Sequence, residues 1–201
     1  MPKELATLAT LRGTHPAITV ITREGSTPAL TRALRAGTLD LALLASAPPF
    51  RPPDTETPAL VLQALTERSL RVALPVAHPL ARGEFIDFAD LHGQRWIAGP
   101  TSGEDRLMGV WPGLEERPEI AHTARDWLAK LHLVAAGCGI TTVSAGLISA
   151  APAGVRILPV RGGPREQRRI LLARLPRPLP EPAARLAATL RAAAIETDAP
   201  L

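Results

Sequence analysis

The segment from Ala17 to Ala45 constrains the fold more than any other part of the chain, because it signals a strand, a turn, a helix and a second strand. The β-branched run at 18–21 predicts the first strand. Turn, hydroxyl and proline residues at 25–28 predict a turn and a helix start, and Gly37 predicts the helix end. The apolar run at 39–44 predicts a parallel strand buried on both faces. These signals together predict half of a βαβ unit with a turn that can face a ligand.

The rest of the chain repeats this alternation, which predicts an α/β fold. A helix should open the chain, and another, carrying Leu186 and Leu190, should close it. Trp127, Leu131 and Val134 have helical spacing after Asp126, the predicted N-cap of that helix. Short helices are also predicted around 88–91 and from the turn at 99–103 to about Trp111. Further strands are predicted at 59–65, 70–74, 96–98, near 120, and at 140–143, 155–160 and 169–173.

Length and composition limit the classes of protein that this chain can belong to. With 201 residues, 46% of them hydrophobic, it can form one large domain or two small ones. No uncharged apolar run approaches the ~20 residues of a membrane span, so no membrane partner is expected. The first residues lack the apolar core of a secretory signal, which predicts a cytoplasmic location. A net charge of +4 with only 3% aromatic residues gives little reason to expect nucleic-acid binding.

Most arginines are scattered, but Arg161, Arg165, Arg168 and Arg169 surround the turn at 162–164. This cluster predicts either a solvated loop or a phosphate-binding patch, and the sequence leaves both open.

Hydroxyl residues mark the two strand-to-helix turns where a ligand is expected. Ser26 and Thr27 lie in the first, and Thr101 and Ser102, followed by Gly103, lie in the second. Thr123, before another helix, is a further candidate. Open α/β sheets bind ligands at such turns, where free backbone N–H groups and the positive helix end favour an anion. The pattern predicts a site for a small carboxylate or similar polar metabolite, although the same residues can also simply cap their helices.

Catalytic and metal-binding patterns are missing from the sequence. Cys138 is the single cysteine, which excludes an internal disulfide, and its glycine neighbours predict a small packing residue at a helix end. The five histidines are dispersed, so no metal site is expected. The turn at 99–103 fails the G-x-S-x-G nucleophile pattern by one position, and there is no G-x-x-x-x-G-K-[ST] loop. We therefore expect a binding module with no cofactor rather than an enzyme.

Several motifs occur in the order and at about the spacing of a known family. They read REGST, ALRAGTLDLALL, LRVALPVAHPLA, FADLHGQRWIAG and WLAKLHLVAAGCGITTVSA. Together they resemble the effector-binding (substrate-binding) domain of LysR-type transcriptional regulators, from Glu4 to Ala194. The resemblance implies an α/β fold of two Rossmann-like lobes, in the type 2 periplasmic-binding-protein architecture, joined by a double crossover hinge. It also implies that the C-terminal strand and helix complete the first lobe.

The resemblance divides the chain into lobe I, at 1–75 plus 162–201, and lobe II, at 76–161. The hinge would then lie at Pro75, Val76, Val160 and Arg161. The two hydroxyl-rich turns would face each other across a cleft between the lobes. This favours ligand contact over capping for Thr27 and Ser102.

The resemblance has limits, because the family's DNA-binding helix-turn-helix domain and first strand have no counterpart here. The chain is thus expected to be a truncated form whose contact with DNA requires the absent domain. The resemblance implies a small-molecule effector, and a homodimer or tetramer. Two alternatives stay open: a transport-linked solute-binding protein of the same architecture, and a non-functional truncated remnant.

Overall fold

The computed structural model describes residues 2–99, 109–114, 117–163 and 166–198. The chain has the mixed α/β architecture that the sequence predicts and divides into two compact units, Met1–Glu67 with Gln167–Leu201, and Arg68–Glu166. Its helices are α1 (Pro2–Thr14), α2 (Thr27–Arg35), α3 (Trp127–Ala135) and α4 (Glu181–Asp198). Its strands are β1 (Ala42–Ser46), β2 (Val61–Pro75), β3 (Ile86–Asp87), β4 (Arg95–Ala98), β5 (Glu119–Thr123), β6 (Thr141–Ser144), β7 (Val155–Arg161) and β8 (Gln167–Arg174).

The divisions between the units fall between residues 67 and 68 and between residues 166 and 167. The predicted hinge residues Pro75, Val76, Val160 and Arg161 all lie within the second unit. A hinge at these four residues stays a prediction.

The first unit contains a sheet in the order β1, β8 and the beginning of β2. The C-terminal strand β8 pairs with β1 in an antiparallel ladder that runs from Ala42 opposite Ala173 to Ser46 opposite Arg169. The last helix, α4, packs against α1 in the same unit. The C-terminal strand and helix therefore belong with the N-terminal elements, as the family resemblance implies.

Helices on both faces of β1 explain the apolar run at its start. Ala42 and Leu44 pack with the fully buried Leu34 of α2 on one face. Leu43 packs with Leu190 of α4 on the other. Burial on both faces is thus confirmed, but the expected parallel pairing is wrong for the ladder with β8. Burial sets how apolar a strand is, and does not set the direction of its neighbour.

The predicted strand at 18–21 is absent. These residues form no ladder with the described part of the chain, and the Ile21 side chain is 87% exposed. A β-branched run becomes a strand only where a hydrogen-bonded neighbour and a packing face are available. The residue types at 18–21 favour a strand, but no described strand lies beside them to form hydrogen bonds, so the prediction is wrong.

Arg35, at the end of α2, forms hydrogen bonds that hold the proline-rich loop before β2 in place. Its Nε and Nη2 atoms donate to the two carboxylate oxygens of Asp54 at 3.1 and 2.8 Å. The same guanidinium donates to the carbonyl oxygens of Glu56 and Pro58. Hydrogen bonding from Arg35 holds the pKa of the Asp54 carboxyl below its usual value.

Strand β2 is continuous where the sequence predicts two separate strands at 59–65 and 70–74. The polar residues Glu67, Arg68 and Ser69 suggest a break, but none of them is a glycine or proline that would force a turn. They continue the strand from the first unit into the second.

In the second unit β2 pairs with both β6 and β7, and β7 also pairs with β3. Strands β4 and β5 are parallel, and a bridge from Trp96 to Ile140 joins β4 to the chain entering β6. Helix α3 packs against β4, β6 and β7. All three tryptophans of the chain, Trp96, Trp111 and Trp127, lie in this unit, and the first two are buried.

The predicted helix at 88–91 is a 3₁₀ turn, Phe88–Leu91. Most of the helix expected to reach Trp111 lies outside the described residues, and the described residues 109–111 are not helical. Within the described ranges, we find no helix with both the length and the apolar character that a bilayer crossing requires.

Candidate functional site

The first predicted turn forms the start of α2, in the first unit. Ser26 is the N-cap of this helix, and its Oγ accepts a hydrogen bond from the Ala29 N–H at 3.4 Å. Pro28 occupies the first turn, where its missing N–H has no intrahelical partner to lose. Thr27, the first helical residue, is half-buried, and its hydroxyl has no hydrogen-bond partner among the described residues. Ser26 therefore caps the helix, and the Thr27 hydroxyl can still bind another group.

The second unit brings the carboxyl ends of two parallel strands together. Thr123 ends β5 opposite Ala98, which ends β4, and the Ala124 N–H donates to the Ala98 carbonyl at 2.9 Å. Thr123 is exposed. The chain after Ala98 leads to Thr101, Ser102 and Gly103, which lie outside the described residues. Of the predicted ligand-binding residues in this unit, Thr123 alone is among the described residues, and it lies at the sheet edge where α/β proteins bind ligands.

Helix α3 begins at the same edge, because only Ala124, Arg125 and Asp126 separate it from the end of β5. Asp126 is its N-cap, as predicted, and its Oδ2 accepts a hydrogen bond from the Ala129 N–H at 2.7 Å. The remaining free N–H groups of the first turn give this edge a positive potential.

Lys130, in the second turn of α3, has an environment that the sequence analysis missed. Its side chain lies on the helix face that also carries Leu131 and Val134, and the residue is only 2% exposed. Its Nζ atom lies 4.5 Å from the centroid of the Trp127 ring. It forms no ion pair with any described residue, and burial lowers the pKa of its ammonium group. The available signal was a lysine at helical spacing within an apolar face.

Hydrogen bonds around Ile140 hold β4 in position. The Ile140 N–H donates to the Arg95 carbonyl, and the Ile97 N–H donates to the Ile140 carbonyl, both at 2.8 Å. The buried Thr141 hydroxyl also donates to the Ile97 carbonyl at 2.8 Å. These bonds fix the strand whose end precedes the second predicted turn.

Carboxylates already engage two of the clustered arginines. Arg161 donates to both oxygens of Asp87, at 2.6 and 3.1 Å, and its guanidinium stacks on the Phe85 ring. Arg169, in the other unit, pairs with Glu67. Arg165 lies outside the described residues. Arg161 and Arg169 thus each have a carboxylate partner, and their positions need no bound phosphate to explain them.

The described residues contain no group of three or more histidine, cysteine, aspartate or glutamate side chains placed to hold a metal ion. Cys138 is a half-buried free thiol in the turn after α3. What the geometry offers is therefore hydroxyl groups, helix N-termini and one buried ammonium group, which suit the binding of a small anion.

Known proteins are similar to this chain in sequence and in fold. The "HTH-type transcriptional regulator TtuA" of Agrobacterium vitis is 32% identical over 131 residues, which are 63% of this chain and 41% of that protein. The chain thus spans less than half the length of this relative.

Two solved structures have the same fold. The "BenM effector binding domain with its effector benzoate" has a TM-score of 0.75 at 23% identity, covering 98% of this chain and 88% of that one. The "Effector binding domain of QuiR in complex with shikimate" has a TM-score of 0.72 at 18% identity, covering 95% and 90%. These likenesses show that this chain has the fold of effector-binding domains. The family model described as the LysR substrate binding domain matches residues 5–194, and the chain therefore belongs to this family.

Proposed function

We propose that this chain is the ligand-sensing part of a LysR-type transcriptional regulator, and that its ligand is a small polar or anionic metabolite. The observation that carries the proposal is a pair of helix N-termini with neighbouring hydroxyl groups, one in each unit, within a chain of this family. The Thr27 hydroxyl lies at the start of α2, and Thr123 lies beside the start of α3. Helix N-termini and hydroxyl groups favour an anion at both places.

The relatives support a carboxylate as the ligand class. BenM and QuiR carry benzoate and shikimate respectively, and both compounds are carboxylates. Ligand contacts from the predicted residues stay predictions from the sequence and the family resemblance, as does a cleft between two lobes. These residues are Ser26, Thr27, Thr101, Ser102, Gly103 and Thr123. Family membership favours this role over a transport-linked solute-binding protein.

The role of the whole protein is a further part of the proposal. Joined to a helix-turn-helix domain, the chain would convert ligand binding into a change in how a homodimer or tetramer binds DNA in the cytoplasm. Its own role is binding rather than catalysis.

Thermal unfolding in the presence of a panel of small carboxylates, sugars and amines tests the proposal. A ligand at 100 times its Kd stabilises the folded state by about 2.7 kcal/mol. At about 2–4 °C per kcal/mol for a chain of this size, Tm should rise by roughly 5–11 °C. We expect at least one carboxylate to produce this rise.

Two variants that remove a hydroxyl at constant volume, Thr27→Val and Thr123→Val, should reduce the rise and leave the ligand-free Tm nearly unchanged. Thr55→Val, in the exposed loop before β2, is the matched control and should bind normally. A folded protein whose Tm responds to no compound of the panel would contradict the proposal.

A further inference from the structure

The structure assigns Lys130 as the residue that binds a carboxylate group of the effector in the second unit, an assignment that rests on the proposed function. The site consists of the Lys130 ammonium group, the first turn of α3 and the neighbouring end of β5.

The Lys130 ammonium group lies near the first turn of α3. Helical side chains point back toward the N-terminus of their helix. The Lys130 Nζ follows this rule, because it lies over the ring of Trp127, the first residue of α3. The charge is therefore at the level of the first turn, at the edge where β4 and β5 end.

No described residue supplies a counterion for the Lys130 ammonium group. The strands packed against α3 are β4, β6 and β7, and none of them contains an aspartate or glutamate. The nearby Asp126 carboxylate caps the helix through Ala129, and Arg95 on β4 pairs with Glu119. A cation buried with no ionic partner is costly, and folded proteins rarely keep one without compensation.

The chemistry of the ammonium group favours a carboxylate as its partner. An ammonium ion has three N–H donors and attracts a carboxylate as a compact charge, and the free N–H groups of the first helical turn add to this attraction. The Trp127 ring supplies an apolar wall beside it. This combination favours a monocarboxylate with an apolar or weakly polar body over a neutral sugar or an amine.

The test uses the fact that Lys3 and Lys130 are the two lysines of the chain. In protein labelled with 13C-lysine, the Cε resonance of each is followed against pH in sodium acetate, in sodium chloride of equal ionic strength, and in acetamide. Acetate should raise the titration midpoint of Lys130 by roughly one unit, the effect of a single opposite charge nearby. Lys3 is the internal control and should not change.

An equal midpoint for Lys130 in acetate and chloride would overturn the assignment. So would an upward shift in acetamide, because the neutral amide carries no charge to pair with the ammonium group.

The variant Lys130→Met provides the second measurement, since it removes the charge and keeps much of the apolar volume. Its Tm without ligand should equal or exceed that of the wild type, while the rise caused by a carboxylate should be lost. Arg82→Met, which removes an exposed cation of the same unit, should keep the rise.

A carboxylate that stabilises Lys130→Met as much as the wild type would overturn the assignment and leave the proposed function standing. A Lys130 midpoint that responds to acetate in a protein stabilised by no compound of the panel would support the assignment and contradict the proposed function.

Discussion

Replacement of Gly139 by alanine should unfold the second unit far more readily than the same replacement at Gly137, two residues earlier. Gly139 has φ +149°, and a Cβ atom added to it would lie 2.7 Å from the Arg95 carbonyl oxygen. Gly137 has φ +78°, and its added Cβ would meet no atom within 4 Å. The backbone angles at both positions disfavour a side chain. Only at Gly139 would the added Cβ also collide with a backbone atom.

The two costs can be estimated separately. At Gly137 the left-handed conformation costs about 1 kcal/mol for alanine. At Gly139 backbone strain of about 1–3 kcal/mol adds to the weakening of two hydrogen bonds at about 1 kcal/mol each. Those two bonds join Ile140 to Arg95 and Ile97, so they depend directly on the close approach of Gly139. The sum is roughly 3–5 kcal/mol for Gly139→Ala.

Urea unfolding followed by circular dichroism measures both free energies, and thermal unfolding with the same signal measures both Tm values. Gly137→Ala should lower Tm by about 2–4 °C, and Gly139→Ala by roughly 6–20 °C. Equal losses in the two variants would refute the reasoning, because they would mean that the contact with Arg95 has no energetic weight.

Two further predictions concern the dependence of stability on pH. The folded-state pKa of Asp54 is lowered by Arg35, so the stability from this pair is present above the unfolded pKa of about 3.9 and is lost as pH falls through the folded value. The difference in unfolding free energy between wild type and Asp54→Asn should therefore shrink between pH 7 and pH 3 in urea titrations, and a constant difference would contradict the assignment. Lys130 behaves in the opposite sense, since burial lowers its folded-state pKa and the unfolded chain binds the extra proton up to a pH of about 10.4. Stability should thus rise with pH as the buried ammonium loses its proton, the rise should be absent in Lys130→Met, and the lack of tyrosine leaves few other groups to titrate in this range.

Local signals in the sequence predicted the helix starts well. Ser26 caps α2 and Asp126 caps α3, because a cap depends on a few consecutive residues. The apolar face of α3 was equally visible from its spacing.

Strand pairing was less predictable, because it depends on residues far away in the chain. The run at 18–21 has strand-forming residues but no neighbour among the described residues, and β1 pairs antiparallel to β8, more than a hundred residues later. Lys130 shows the same limit for the site. Its spacing placed it on the helix, but only the packed structure shows that its charge is buried with no ionic partner in the described part of the chain.

The distribution of tryptophan gives the protein an uneven intrinsic fluorescence. Since the chain lacks tyrosine and Trp96, Trp111 and Trp127 all lie in the second unit, its ultraviolet emission reports on that unit alone. Unfolding of the first unit would have no tryptophan probe of its own, because all three tryptophans lie in the second unit. Melting curves from fluorescence and from helix content would coincide only if the two units unfold together, so the comparison measures their cooperativity without any added label.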